Sequence, residues 1–194
     1  MSLPTLTALA QWAGIAMPTL YAGITLQYSL TMTLLARTAP HPNSKLLAKQ
    51  WLALYQQGPR WVPPLVHAGA LANLYLAFLA SHHHHHHREA TQSVALHLAA
   101  ALATLALLPL TFAYFEPGVN GACKWKVERL LVEDGFRLSP PAATAPARWK
   151  GVGVVVRRLP VSVRRHSATE GAKRWAEAAD MRELVLAWAA RNHG

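Results

Sequence analysis

The sequence predicts an all-α integral membrane protein: an antiparallel helical bundle of three to four helices with an amphipathic helix at its C-terminus. Composition is the first reason. Of 194 residues, 52% are hydrophobic and only 14% charged, against roughly 25% charged in an average soluble domain. The placement of the charges is the second. Residues 1–36 and 61–87 contain no Asp, Glu, Lys or Arg, whereas residues 116–194 hold 14 of the 19 basic and 8 of the 9 acidic side chains. Length is the third, because three apolar segments reach the roughly 20 residues that a crossing of the hydrocarbon core requires.

The first segment covers about residues 6–36. It exceeds one crossing by about ten residues, so it is expected to tilt, or to bend at Pro18, whose ring removes a backbone donor. A secretory signal would open with a positive region, but Arg37 is the first charge in the chain, and the segment is expected to stay as a span. Gln11, Gln27 and many Thr residues dilute it, which keeps buried helices of a soluble protein as the alternative. Next comes "QWLALYQQGPRWVPPL" at residues 50–65. Gly58 and Pro59 end a loop helix here, and the Pro63-Pro64 step suits the first turn of a new one, where a missing backbone donor is no loss.

The second span covers residues 61–81 and the third residues 90–115, with Pro109 near its end. Six consecutive histidines lie between them. They read as a solvent-exposed low-complexity loop without a mechanistic role, either a metal-binding tract or an inserted tag. With these spans, residues 1–123 form the membrane bundle. Residues 124–172 read as a Pro-, Ala- and Arg-rich linker, in which "GVGVVVRRLPVSVRR" could form a short strand or lie on a membrane surface. From Lys173, the apolar positions Trp175, Ala178, Met181, Val185 and Trp188 recur three and four apart. That spacing predicts one amphipathic helix over 173–194.

The basic residues near the spans orient the bundle. Arg37, Lys45, Lys49 and Arg60 occupy the first loop without an acid, and Lys124, Lys126 and Arg129 follow the third span, while the second loop offers Arg88 against Glu89. The first loop and the C-terminal tail are therefore expected in the cytosol, and the N-terminus on the lumenal side of an endomembrane such as the endoplasmic reticulum. The lipid bilayer is the first expected partner. A net charge of +10 does not point to nucleic acid, because the basic residues sit beside apolar spans without the aromatic and glycine patterning of a strand binder. The single cysteine, Cys123, excludes an intrachain disulfide and any multi-cysteine metal site.

Four segments share a pattern in the same order: "AKQWLALYQQGPRWVPPL" with "LYLA", then "LLPLTFAYFEPGVN" with Pro109, Thr111, Pro117 and Asn120, then "DMRELVLAWAARN" with Trp188 and Asn192, and more weakly "YAGITLQYS" with Gly23 and Ser29. Together they resemble the fungal anthrone oxygenase family, small four-span membrane proteins formerly classed as a domain of unknown function. In that family the Trp-x-x-x-Asn pattern opens a complete fourth span. Here only three residues are present from Asn192 onward, so the fourth span is expected to be absent, and a homo-oligomer could complete the bundle.

The resemblance implies oxidation of a planar polyketide anthrone to an anthraquinone in secondary metabolite biosynthesis. Dioxygen is the co-substrate and no cofactor or metal is implied. Such chemistry asks for a base, a dry apolar slot for flat rings, and donors for a developing oxyanion. His97 and His67, inside the third and second spans, are the candidate catalytic bases, since titratable groups at membrane depth are functional by default and imidazole titrates near neutrality. A neutral histidine bonded to a neighbouring helix is the plainer alternative. Trp51 and Tyr55, four apart on one helix face, are candidate substrate contacts or else anchors of a span end. Gln50, Asn120, Trp188 and Asn192 complete the candidate substrate-binding set. Asn73 and Tyr75 read as interhelical hydrogen bonders. Two other functions stay open: a non-catalytic membrane scaffold or truncated paralogue, and an isomerase or cyclase acting on another apolar metabolite.

Overall fold

A computed structural model describes residues 2–39, 44–83, 87–138, 163 and 165–193. Among them all regular structure is helical, as the composition predicts. The helices are α1 (Leu3–Thr38), α2 (Ser44–Tyr55), α3 (Gly58–His83), α4 (His87–Leu110), α5 (Gly121–Leu131), α6 (Glu170–Ala178) and α7 (Met181–His193), and Thr111–Asn120 between α4 and α5 winds as a π-helix. Two stretches of the described residues are long and apolar enough to cross a membrane, Ser44–His82 and Thr91–Leu131. α1 is 36 residues long but is not among them. Its hydroxyls turn inward on their own helix instead. Thr7, Thr19, Ser29 and Thr38 each donate to the carbonyl four residues back, at 2.8–3.0 Å.

The chain divides into two compact units. The first comprises Met1–Ile24 and Trp61–Leu110. Ala10, Ala70, Ala72, Ala77 and Ala101 are buried in it, together with Val66 and Leu76. Many large side chains point out, with Ile15 74% exposed, Leu96 71%, Leu102 65% and Leu71 64%. α1 and α3 approach each other at glycines. A Cβ on Gly69 would lie 3.0 Å from Pro18 Cδ, and one on Gly14 would lie 3.1 Å from Asn73 Nδ2.

The second unit is Thr25–Arg60 with Thr111–Gly194. Trp51, Met32, Leu52, Leu131, Met181 and Leu184 are all buried in one core. The end of α1, together with α2, α5 and α7, supplies them, and α6 adds Ala172 and Ala176. Two ion pairs, Lys45 to Glu133 at 2.7 Å and Lys49 to Asp134 at 2.8 Å, tie α2 to the turn after α5. Such exposed or half-exposed pairs contribute on the order of 0–1 kcal/mol each, so the apolar core and not these charges holds the unit together.

Three boundaries differ from the sequence expectation. α3 starts at Gly58, directly after a turn at Gln56 and Gln57, so Pro59 takes the first-turn place and Pro63 and Pro64 lie inside the helix. A proline lacks the same donor at either place, and spacing alone does not choose between them. α5 extends to Leu131, into the segment read as linker, because Val127 and Leu131 complete the core face. The single C-terminal helix is in fact two. Asp180 and Glu183 form a reciprocal cap, Glu183 N–H donating to Asp180 Oδ1 at 2.8 Å and Asp180 N–H to Glu183 Oε2 at 3.2 Å, which starts α7 afresh. Ala178 of the expected stripe is consequently exposed. Residues 139–162 and 164 of the expected linker and residues 84–86 of the histidine run lie outside the described residues; the run's first two histidines end α3 and its last begins α4, where a loop was expected.

Candidate functional site

Four of the singled-out residues converge in the core of the second unit. Trp51 and Tyr55 are one helical turn apart on α2, and their rings stack with centroids 4.6 Å apart and planes inclined by 11°. Trp188 of α7 meets Trp51 edge-on at 6.1 Å, and its indole N–H donates to Asn120 Oδ1 at 2.9 Å. Offset stacking and edge-to-face contact are the two favoured aromatic geometries. Trp51 is fully buried, which sets it apart from an interfacial anchor. Its own indole N–H has no hydrogen-bond partner among the described residues. Gln50 and Asn192 are half-buried and make no hydrogen bond to these atoms.

Below the rings lies a buried charge cluster that the sequence reading passed over. The Tyr55 hydroxyl donates to Glu116 Oε1. Glu116 Oε2 accepts from Lys124 Nζ at 2.8 Å and from Ser167 Oγ at 2.9 Å, and Lys124 also donates to the Arg165 carbonyl at 3.0 Å. Lys124 is 1% exposed. A lone acid followed by a lysine in an apolar segment was the available signal for this pair. Ser167 offered none.

The backbone around Glu116 explains how the cluster forms. Pro117 lacks a donor, and at Gly118 the backbone leaves helical values, with φ −94° and ψ −111°. Prolines and π-turns are standard causes of such a kink. The Pro117 carbonyl is then taken by Thr169, whose backbone N–H donates at 3.0 Å and whose hydroxyl donates at 3.3 Å. Gly121 lets the segment approach: a Cβ there would stand 2.6 Å from Ala168 Cα and 2.8 Å from the Glu116 carbonyl oxygen. Gly121→Ala is expected to displace residues 165–169 and to lower the stability of this unit by about 1–3 kcal/mol, as overpacking does; thermal unfolding in detergent reads it.

His166 stands beside the cluster, 3.2 Å from Glu128 and tilted against Trp125. Burial lowers its pKa below the usual 6.5, and the lysines Lys173 and Lys124 act in the same direction, against the opposing pull of Glu128. The folded unit therefore takes up this proton at lower pH than the unfolded chain. Stability from this group is complete above about pH 6.5 and declines as pH falls below it, until the folded ring itself protonates. His166→Gln is expected to flatten that part of a stability-against-pH curve.

The two histidines belong to the first unit. His67 is exposed, and its Nδ1 lies 2.6 Å from the Pro63 carbonyl of its own helix. His97 on α4 is half-buried, with Nδ1 3.1 Å from Asn73 Oδ1 on α3. Asn73 in turn donates from Nδ2 to the Gly14 carbonyl at 3.1 Å and to the Gly69 carbonyl at 3.0 Å. Asn73 thus bridges helices as expected, whereas the Tyr75 hydroxyl is buried without a partner among the described residues.

The chain matches no protein-family model, no curated protein and no solved structure. Among the described residues no three His, Cys, Asp or Glu side chains come together closely enough to hold a metal ion. Among the described residues, chemistry-bearing groups gather beside His97 of α4, in the aromatic and charged core of the second unit, and at His166 with Glu128.

Proposed function

We propose that this chain is a membrane-embedded, anthrone oxygenase-like protein acting on a planar polyketide phenol with dioxygen. The observation that carries the reading is the meeting of Trp51, Tyr55, Asn120 and Trp188 in one core. These residues come from three separate segments that resemble the family, and they are far apart in the chain. Membrane embedding is supported by the two long apolar stretches and by the many large apolar side chains that the first unit leaves exposed, among them Ile15, Leu71, Leu96 and Leu102. In lipid the hydrophobic effect no longer drives large side chains inside, and small residues at helix contacts are favoured. The orientation in this reading, with the first loop and the tail in the cytosol, is supported by the distribution of basic residues, and an endomembrane location comes with the resemblance alone.

In this reading His97 supplies the base. Its imidazole takes a proton from the central methylene of the anthrone. The carbanion adds dioxygen and becomes a hydroperoxide after protonation, and loss of water with the remaining methylene hydrogen leaves the ketone of the quinone. Two hydrogens leave the carbon and one oxygen atom stays, so one dioxygen yields one quinone carbonyl and one water. Trp51, Tyr55, Trp188 and Asn120 pack within the second unit, not in the unit that holds His97, and no part in this proton transfer is assigned to them. A scaffold without turnover is the second reading, favoured by the full commitment of the Tyr55 hydroxyl and the Trp188 N–H inside the core.

The test is aerobic turnover of an emodin-type anthrone by microsomes carrying the inserted chain. Quinone absorbance is followed against empty microsomes and against spontaneous oxidation. A rate above both controls is expected. A rate equal to them, with insertion verified, overturns the oxygenase reading and leaves the scaffold.

A further inference from the structure

We infer that Asn73 is a positioning residue that fixes the ring of His97 in its Nδ1–H tautomer and leaves Nε2 as a bare acceptor. The argument begins with the amide of Asn73, because its orientation is decided by two carbonyls. Gly14 and Gly69 each present an oxygen to Nδ2, at 3.1 and 3.0 Å, and two acceptors demand the NH2 end of the amide. Oδ1 then points to His97 Nδ1 at 3.1 Å and can only accept. A neutral imidazole has one donor and one acceptor nitrogen, so a donating Nδ1 leaves the lone pair on Nε2.

Gly14 is part of the same device. A Cβ there would come within 3.1 Å of Asn73 Nδ2 and 3.3 Å of its Oδ1, so the amide reaches the α1 carbonyl because no side chain stands in the way. Three helices are thereby joined in a relay from the α1 backbone through Asn73 of α3 to His97 of α4. The hydrogen bond on one ring nitrogen decides what the other can do, as it does for metal-bound and triad histidines. That the Nε2 lone pair is used to take a proton rests on the function proposed above; the tautomer itself does not.

The experiment is nitrogen-15 NMR of the histidine-labelled full chain in detergent micelles above pH 8, with the His97 signals assigned by their loss in His97→Gln. The Nδ1–H pattern is expected in the native chain. Asn73→Leu removes the acceptor and is expected to return His97 to the Nε2–H form that a free imidazole side chain prefers. Asn73→Asp keeps an acceptor and is expected to retain Nδ1–H, which covers the case in which the leucine variant does not fold. Gly14→Ala is expected to populate both forms.

A native chain that shows Nε2–H, or a folded leucine variant that keeps Nδ1–H, overturns the inference. Turnover provides the second arm. Asn73→Leu is expected to lower kcat by about 10- to 100-fold with KM little changed, and Asn73→Asp to lower it less. A tautomer change with kcat unaltered removes the positioning role. A tautomer change in a chain that never turns over the anthrone leaves the tautomer assignment standing and removes the oxygenase reading.

Discussion

Lys124→Met is expected to destabilise the second unit by about 3–5 kcal/mol. Lys124 is 1% exposed and spends its ammonium protons on Glu116 Oε2 and the Arg165 carbonyl. Methionine fills most of the volume, so the loss is electrostatic and not a cavity. Among the described residues it leaves the buried Glu116 with the Tyr55 and Ser167 hydroxyls as donors, and a buried carboxylate without its cation bears a desolvation penalty that two neutral hydroxyls do not offset. Glu116→Gln should be similarly harmful, since the buried ammonium then loses its anion. The double variant is the informative one. With both charges gone the penalty goes too, so it is expected to recover most of the stability, because replacing both partners of a buried pair is often close to neutral. Chemical unfolding of the four chains in micelles gives the coupling. A single-variant loss under about 1 kcal/mol would be the value of an exposed pair and would contradict the burial.

His97→Ala is expected to reduce turnover of the anthrone by about 10²- to 10⁴-fold, the usual contribution of a positioned general base. His67→Ala is expected to leave it within about threefold, on the order of 0.6 kcal/mol in barrier. The difference follows from placement. His67 is exposed, and its Nδ1 is engaged with the Pro63 carbonyl of its own helix, whereas His97 is half-buried and held from a neighbouring helix by an amide that is itself tied down twice. A base held in this way loses little freedom when substrate arrives. The comparison is made on equal amounts of inserted protein, with helicity confirming the fold. If both variants retain full activity above the spontaneous rate, the proton is taken elsewhere. If His67→Ala alone is inactive, the assignment between the two rings is reversed.

Helicity was legible because it depends on composition, and two apolar stretches overlap the expected second and third spans, whereas α1, expected as the first span, is not among the stretches long and apolar enough to cross. Trp51 and Tyr55 were legible as a pair because a four-residue spacing on a helix is a contact. Their burial was not, since the same spacing and residue types serve at a membrane interface. The α6–α7 break had a local signal in Asp180-x-x-Glu183, but the surrounding apolar stripe read straight through it. The burial of Glu116 and Lys124 was illegible for a different reason: a carboxylate and an ammonium eight residues apart fit a solvated helix face as readily as a core, and the sequence does not tell the two apart. The contacts of Arg165, Ser167 and Thr169 had no local signature at all. They depend on partners 41 to 52 residues away, and nothing in the pattern of a short loop announces where it will dock.

The kink at Pro117 imposes an order on biosynthesis. Its carbonyl finds its donor in Thr169, 52 residues later, and the carboxylate beside it gains a hydroxyl from Ser167. While the nascent chain is still short of that point, Glu116 can find the earlier-made Tyr55 and, soon afterwards, Lys124, but the kink carbonyl must borrow water. Closing a loop of that size costs only a few kcal/mol in chain entropy, so the late segment docks readily once it has left the ribosome. Until then the Pro117 carbonyl and the Glu116 carboxylate lack the donors that Thr169 and Ser167 later bring.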